Sequence, residues 1–241
     1  MYYRDGMYSM RARIGVIAPL DDQVEYAFNK YAPAGVSFDS TRLSFPGPTP
    51  EGLIYLSDQL EEAAKMYRKK RHDVILFGCT SGSCIKGFGF DKECIQRIER
   101  ASGWPGLTTS TAVLEAFQAL GLNKTVVMTP YPEETNQAEK KFLEDNGIQV
   151  TSITGVGFNR VGEFSHPSKY FLYRQAKKLK TEGAEVFFLS CMGLATMELV
   201  EILEEDLGMP VITSHQASLW ACLRHCRVND KLSGLGKLFT I

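Results

Sequence analysis

The chain has 241 residues, of which 44% are hydrophobic and 23% charged, and its formal net charge is -1 at pH 7. This length and composition can bury one large core or two small ones, and charges of both signs spread along the chain exclude a nucleic-acid stripe or a membrane-surface face. No apolar run approaches the roughly 18 residues that a membrane span needs, and residues 1–10 lack the hydrophobic centre of a signal peptide, so a cytoplasmic protein is expected.

In chain order, the sequence predicts strands at 14–18 and 36–41. An amphipathic helix follows over "EGLIYLSDQLEEAAKMYRKK", in which Leu53, Leu56, Leu60, Ala63, Ala64 and Tyr67 keep three- and four-residue spacing. A strand at 74–77 runs into "GCTSGS", which is loop material rather than core material. Helices over "DKECIQRIERAS" and "TAVLEAFQALG" come next. Then strands at 125–129, 150–153, 186–189 and 211–213 alternate with helices over "NQAEKKFLEDNG", "YFLYRQAKKLKTEG", "ELVEILEEDLG" and "SLWACLRH". Short Val-, Ile- and Phe-rich runs alternating with longer amphipathic ones predict an α/β protein with parallel sheets.

The two halves repeat one another. "RIGVIAP" ends at Pro19 and "KTVVMTP" at Pro130; "VILFGCTSG" holds Cys79 and "VFFLSCMGL" holds Cys191 at nearly the same interval, and "LTTSTAVLEAF" returns slightly sooner as "VITSHQASLWA". The repeat predicts two pseudo-symmetric Rossmann-like lobes, over 11–112 and 113–220, with a C-terminal helix at 218–230 packing back on the first. One continuous doubly wound sheet is the alternative. In open α/β sheets ligands gather beyond the carboxyl ends of the strands, so two facing lobes would bring Cys79 and Cys191 to one ligand in the cleft between them.

Six cysteines without dense spacing fit reduced thiols rather than a disulfide framework. Cys222 and Cys226, with His225 between them, lack a second ligand pair and read as helix packing rather than a metal site. "GVGFNRVG" does not fit a dinucleotide fingerprint, and no cofactor or metal is expected. A thiol between a strand and a helix start is placed for thiolate chemistry. Two of them across a small ligand allow one to accept a proton while the other supplies one. Thr80, Ser81, Met192 and Gly193 offer hydroxyl and backbone donors for a carboxylate or enolate oxygen. Thr109, Ser110, Thr111, Thr213 and Ser214 read equally as donors or as helix caps.

"FGCTSGS", "TPYPEETN" and "LSCMGLATMELVEILEEDLGMPVITSHQASLW" resemble the aspartate/glutamate racemase superfamily, in its branch of maleate cis-trans isomerases and arylmalonate decarboxylases. The resemblance implies two α/β lobes with the site between them and a homo-oligomer, dimer or tetramer, acting on a small carboxylate. Decarboxylases of the branch carry glycine where this chain has Cys79, whereas isomerases and racemases keep both thiols. It further implies that Tyr131 and Asn159 contact the substrate. Where the isomerases place an asparagine in the first loop, this chain has Asp21 and Asp22. A carboxylate there repels a substrate carboxylate and favours an amine, amide or hydroxyl, unless it faces solvent or caps a helix. The expected function is a cofactor-independent cis-trans isomerase of a small unsaturated dicarboxylate, of the maleate-to-fumarate type. The alternatives are a two-cysteine racemase of aspartate, glutamate or hydantoin type, an arylmalonate-type decarboxylase, and a small-acid binding protein on the same fold.

Overall fold

The computed structural model describes residues 11–20, 22–158, 160 and 162–241. Four strands, β1 (Ala12–Pro19), β2 (Val36–Leu43), β3 (Val74–Phe77) and β4 (Gly106–Thr108), form a parallel sheet in the order β2-β1-β3-β4. Strands β5 (Lys124–Thr129), β6 (Gln149–Gly155), β7 (Val186–Leu189) and β8 (Val211–Thr213) form a second with the same topology, β6-β5-β7-β8. The sequence repeat is thus a repeat of strand order, and the two-lobed α/β architecture it predicts is present.

Helices cover both faces of each sheet. They are α1 (Val24–Tyr31), α2 (Pro50–Asp58), α3 (Leu60–Lys65), α4 (Thr80–Cys84), α5 (Phe90–Ser102), α6 (Thr109–Leu120), α7 (Glu133–Asp145), α8 (Lys169–Ala176), α9 (Val200–Leu207) and α10 (Ser214–His225). All four residues of β3 and of β7 are buried, as parallel strands covered on both faces must be. Successive side chains alternate between layers. Val74 and Leu76 join an inner core that also takes Val127, Phe188 and Ile212 from the second sheet. Ile75 and Phe77 face an outer layer with α2, α3 and α5, while Phe187 and Leu189 face another with α8 and α9. The inner core is built on α6 and α10, which pack on each other, and Phe117 of α6 meets Phe188 of β7 edge to face at 6.3 Å.

Three local readings need correction. The long predicted helix over residues 51–70 is interrupted at Gln59, which separates α2 from α3 and whose side-chain amide bonds the main chain of Ser44. Strand β4 was not expected; its three residues pair with β3. The C-terminal helix spans Ser214–His225 rather than 218–230, and it packs on α1 and β3 as well as on α6. Residues 112 and 113, the expected lobe boundary, fall inside α6. Among the described residues, no helix is long and apolar enough to cross a membrane.

Candidate active site

Phe77 ends β3, and after Gly78 the chain reaches Cys79, the N-cap residue of α4. The Gly82 N–H donates to the Cys79 sulfur at 3.3 Å. A Cβ at position 82 would stand 2.9 Å from that sulfur and 3.1 Å from the Phe77 ring, so this approach requires glycine. The second half repeats the device with different backbone. After β7 and Ser190, Cys191 has φ 103, a left-handed conformation rare for a side chain with a Cβ, and its sulfur accepts the Gly193 N–H at 3.2 Å. A Cβ on Gly193 would meet Phe164 at 2.7 Å. Each sulfur thus accepts a backbone N–H from two or three residues further on, a kind of contact that favours a thiolate.

Both cysteines line one small cavity of about 20 Å³, with Pro19 ending β1, Asp22 after it, Phe45 following β2, Tyr131 following β5 and Phe164 from the loop after β6. Thr80, Ser81, Met192 and Gly193 complete its wall. Every contribution comes from the carboxyl end of a strand or from beyond it, as the fold requires. The space admits about one water.

Behind the cavity, buried hydroxyls tie the two halves together. Thr80 Oγ1 and Ser214 Oγ are 2.8 Å apart, and Ser214 Oγ accepts the Cys191 N–H at 2.9 Å. Ser110 Oγ donates to the Thr80 carbonyl at 2.9 Å, and Ser218 Oγ to Thr109 Oγ1 at 3.1 Å. Thr213 is a helix cap, closing a capping box with Gln216, and Thr108 caps α6. The ambiguous hydroxyls therefore divide: Thr213 caps, whereas Ser214 bridges the loops that carry the thiols.

Burial pushes the Cys191 thiol well up; the Tyr131 phenol and the Gly193 N–H pull it back, and Asp22 and Cys79 push it further up. Burial also raises the Tyr131 phenol, helped by the charge at Cys191. His215, at the start of α10, lies 3.9 Å from the Asp22 carboxylate, and burial lowers its pKa to about 4, so it is neutral at pH 7.

Eight of the residues picked out in the sequence therefore share this cavity: Cys79, Cys191, Thr80, Ser81, Tyr131, Met192, Gly193 and Asp22. Asp21 and Asn159 lie outside the described residues. Phe45, Phe164 and His215 join the site without having been singled out in the sequence, whereas Pro19 was a landmark of the repeat and Ser214 a candidate donor. Cys222 is buried in the inner core, and His225 pairs with Glu115, which leaves the Cys-His-Cys segment as helix packing.

Two similar α/β halves that each bring a cysteine to a common cavity between strand ends define the class of protein. The chain belongs to the arylmalonate decarboxylase family, whose pattern it matches over residues 14–239. It is 27% identical over 205 residues to arylmalonate decarboxylase of Bordetella bronchiseptica, covering 84% of this chain and 85% of that one. The structure of maleate isomerase from Pseudomonas putida superposes with a TM-score of 0.90 at 20% identity, covering 95% of this chain and 98% of the other. A Cys-to-Ser variant of maleate cis-trans isomerase from Nocardia farcinica, with a covalently bound succinylcysteine intermediate, superposes at 0.89 with 21% identity, covering 95% and 98%. These relatives are enzymes, and the two solved structures share the fold described above.

Proposed function

We propose that this protein is a cofactor-independent isomerase that converts a small unsaturated dicarboxylate between cis and trans forms, of the maleate-to-fumarate type. The observation that carries the reading is the placement of two amide-supported thiols, one from each half, on a single cavity. The Cys79 thiolate adds to one olefinic carbon, forming a C–S bond as the π electrons move to the neighbouring carbon. The Cys191 thiol protonates that carbon, leaving a succinyl-like thioether. Rotation about the new single bond follows, Cys191 takes a proton back, and elimination of the Cys79 thiolate restores the double bond in the other geometry. Tyr131 and Asn159 hold the carboxylates, with donors from Thr80, Ser81, Met192 and Gly193. The succinylcysteine of the Nocardia relative supports the thioether step, and the presence of Cys79 supports isomerisation over decarboxylation.

One observation favours a second reading. The Asp22 carboxyl is in the cavity wall and beside a neutral His215 rather than turned to solvent. A substrate bearing an ammonium or amide N–H on that side suits such a wall better than a second carboxylate. The two thiols would then exchange the proton at a stereocentre, as in an amino-acid racemase.

Incubating Cys191→Ser with maleate and measuring intact mass separates the readings. A succinyl-sized adduct on Cys79 is the expected result. No adduct, with solvent deuterium entering the α-carbon of an amino acid in the wild type, transfers the assignment to the racemase. Release of carbon dioxide from substituted malonates that survives Cys79→Ala makes the protein a decarboxylase. A small-acid binding protein shows none of these changes.

A further inference from the structure

Helix α7 buries Thr135, Asn136, Glu139, Phe142 and Leu143, so Glu139 occupies the inward stripe of the helix and is 1% exposed. Neither of its carboxyl oxygens has a hydrogen-bond partner among the described residues. It borders a void lined also by Thr80, Cys84, Ser110 and Phe188, too tight to admit a water. Thr80 lines this void and the thiol cavity alike, so Glu139 stands directly behind the wall of the site.

The ionisable groups within reach of its charge are Cys84 from α4, which shares the void, and Tyr131 from the β5–α7 connection, and both are pushed up in part by it. The lining residues from α6, Ser110 and Val113, and from β7, Phe188, carry no ionisable group. The Ser190 hydroxyl pulls the carboxyl toward ionisation, but the two side chains do not meet hydrogen-bond geometry. No cation among these groups offsets a charge on Glu139.

We propose that Glu139 is a positioning residue that serves the thiol pair as a neutral carboxylic acid: while protonated it keeps negative charge off the rear wall of the cavity, and its ionisation opposes thiolate formation at Cys79 and Cys191. The inference rests on the reading that these two thiols do the chemistry. Burial sets the change near neutrality, because it moves the Glu139 carboxyl from 4.5 to about 7. A like charge behind one intervening side chain opposes thiolate formation on the order of tenfold.

The test is thiol alkylation, which needs no substrate and so remains informative if maleate proves inert. In a Cys226→Ser background, which removes the half-exposed thiol, iodoacetamide modification of Cys79 and Cys191 is followed by peptide mass spectrometry from about pH 5.5 to about pH 9. With Glu139→Gln the rates match the unsubstituted residue at the acid end and exceed it by about tenfold at the alkaline end. Coincident profiles across the whole range overturn the proposal. Infrared difference spectra of the wild type provide a second arm that depends on no variant at Glu139. A protonated-carboxyl C=O band that fades as pH rises through neutrality is expected, and its absence throughout also overturns the proposal.

Discussion

A methyl group at position 82 has nowhere to go, since the Cys79 sulfur and the Phe77 ring both stand in its path. Gly82→Ala is therefore expected to cost about 1–3 kcal/mol in urea unfolding and to displace the Cys79 thiol, seen as slower alkylation of that residue. Two buried ionisable residues make opposite demands on stability. Glu139 titrates in the folded chain at about 7 rather than 4.5, so folded protein holds more protons than unfolded between those values and stability falls as pH rises through that window. His215 titrates at about 4 rather than 6.5, so the folded state holds fewer protons there and stability rises with pH. Each effect is on the order of 3 kcal/mol, and the two nearly cancel between about pH 4.5 and 6.5. Glu139→Gln should expose the His215 slope in thermal melts across that range, and His215→Asn the opposite slope; a flat profile in both variants would contradict the assignment. Glu139 was legible in principle, because its spacing from Asn136, Phe142 and Leu143 puts it on the inward stripe of "NQAEKKFLEDNG". The segment read only as one amphipathic helix among several, and nothing in it singled out Glu139. Asp22 is a different case, since no periodicity tells which way a side chain points from a loop.

At the scale of elements, the repeat made the cysteine-bearing strand ends readable, because β3 and β7 are continuous apolar runs that stop where glycines and hydroxyls begin. Strand β4 escaped because Gly106, Leu107 and Thr108 are too few and too weakly β-forming to signal alone; pairing with β3 makes them a strand. The break between α2 and α3 escaped because it is a single residue, Gln59, that keeps helical backbone angles and whose side chain bonds Ser44, just past β2. The same tertiary logic gives Ser214 its importance. It opens α10, bonds Thr80 beside one thiol, and accepts the N–H of the other cysteine. Ser214→Ala leaves that N–H and the Thr80 hydroxyl without this partner, a loss of about 1–3 kcal/mol. Thr213→Ala next to it removes a cap and costs about 1 kcal/mol. If the bridge holds the thiols in register, Ser214→Ala should slow Cys191 alkylation about tenfold or more while Thr213→Ala leaves it near the wild-type rate; equal rates in the two variants would remove the bridge from the account.

At the scale of the whole molecule, the two halves are distinct in their sheets but not in their core. Val74 and Leu76 of one sheet and Val127, Phe188 and Ile212 of the other belong to a single buried cluster, filled by α6 and α10. A site assembled from both halves needs this arrangement, because a hinge between independent lobes would let the cavity walls drift by more than a reacting pair of sulfurs tolerates. The shared core also determines how the protein unfolds. Two lobes with separate cores would melt in two steps, whereas halves that bury one another's strands lose their packing together. Urea unfolding followed by far-ultraviolet circular dichroism and by fluorescence of Trp104, beside the outer layer of the first sheet, and Trp220, in the inner core, is expected to give one coincident transition. Phe117→Ala deletes the ring that reaches from α6 to Phe188 across the halves and should lower the stability of that transition by about 3–5 kcal/mol. If the variant instead splits the curve in two, the halves possess cores sufficient to stand alone, and the rigidity assigned to the thiol cavity must come from the hydroxyl bridge at Ser214 rather than from apolar packing.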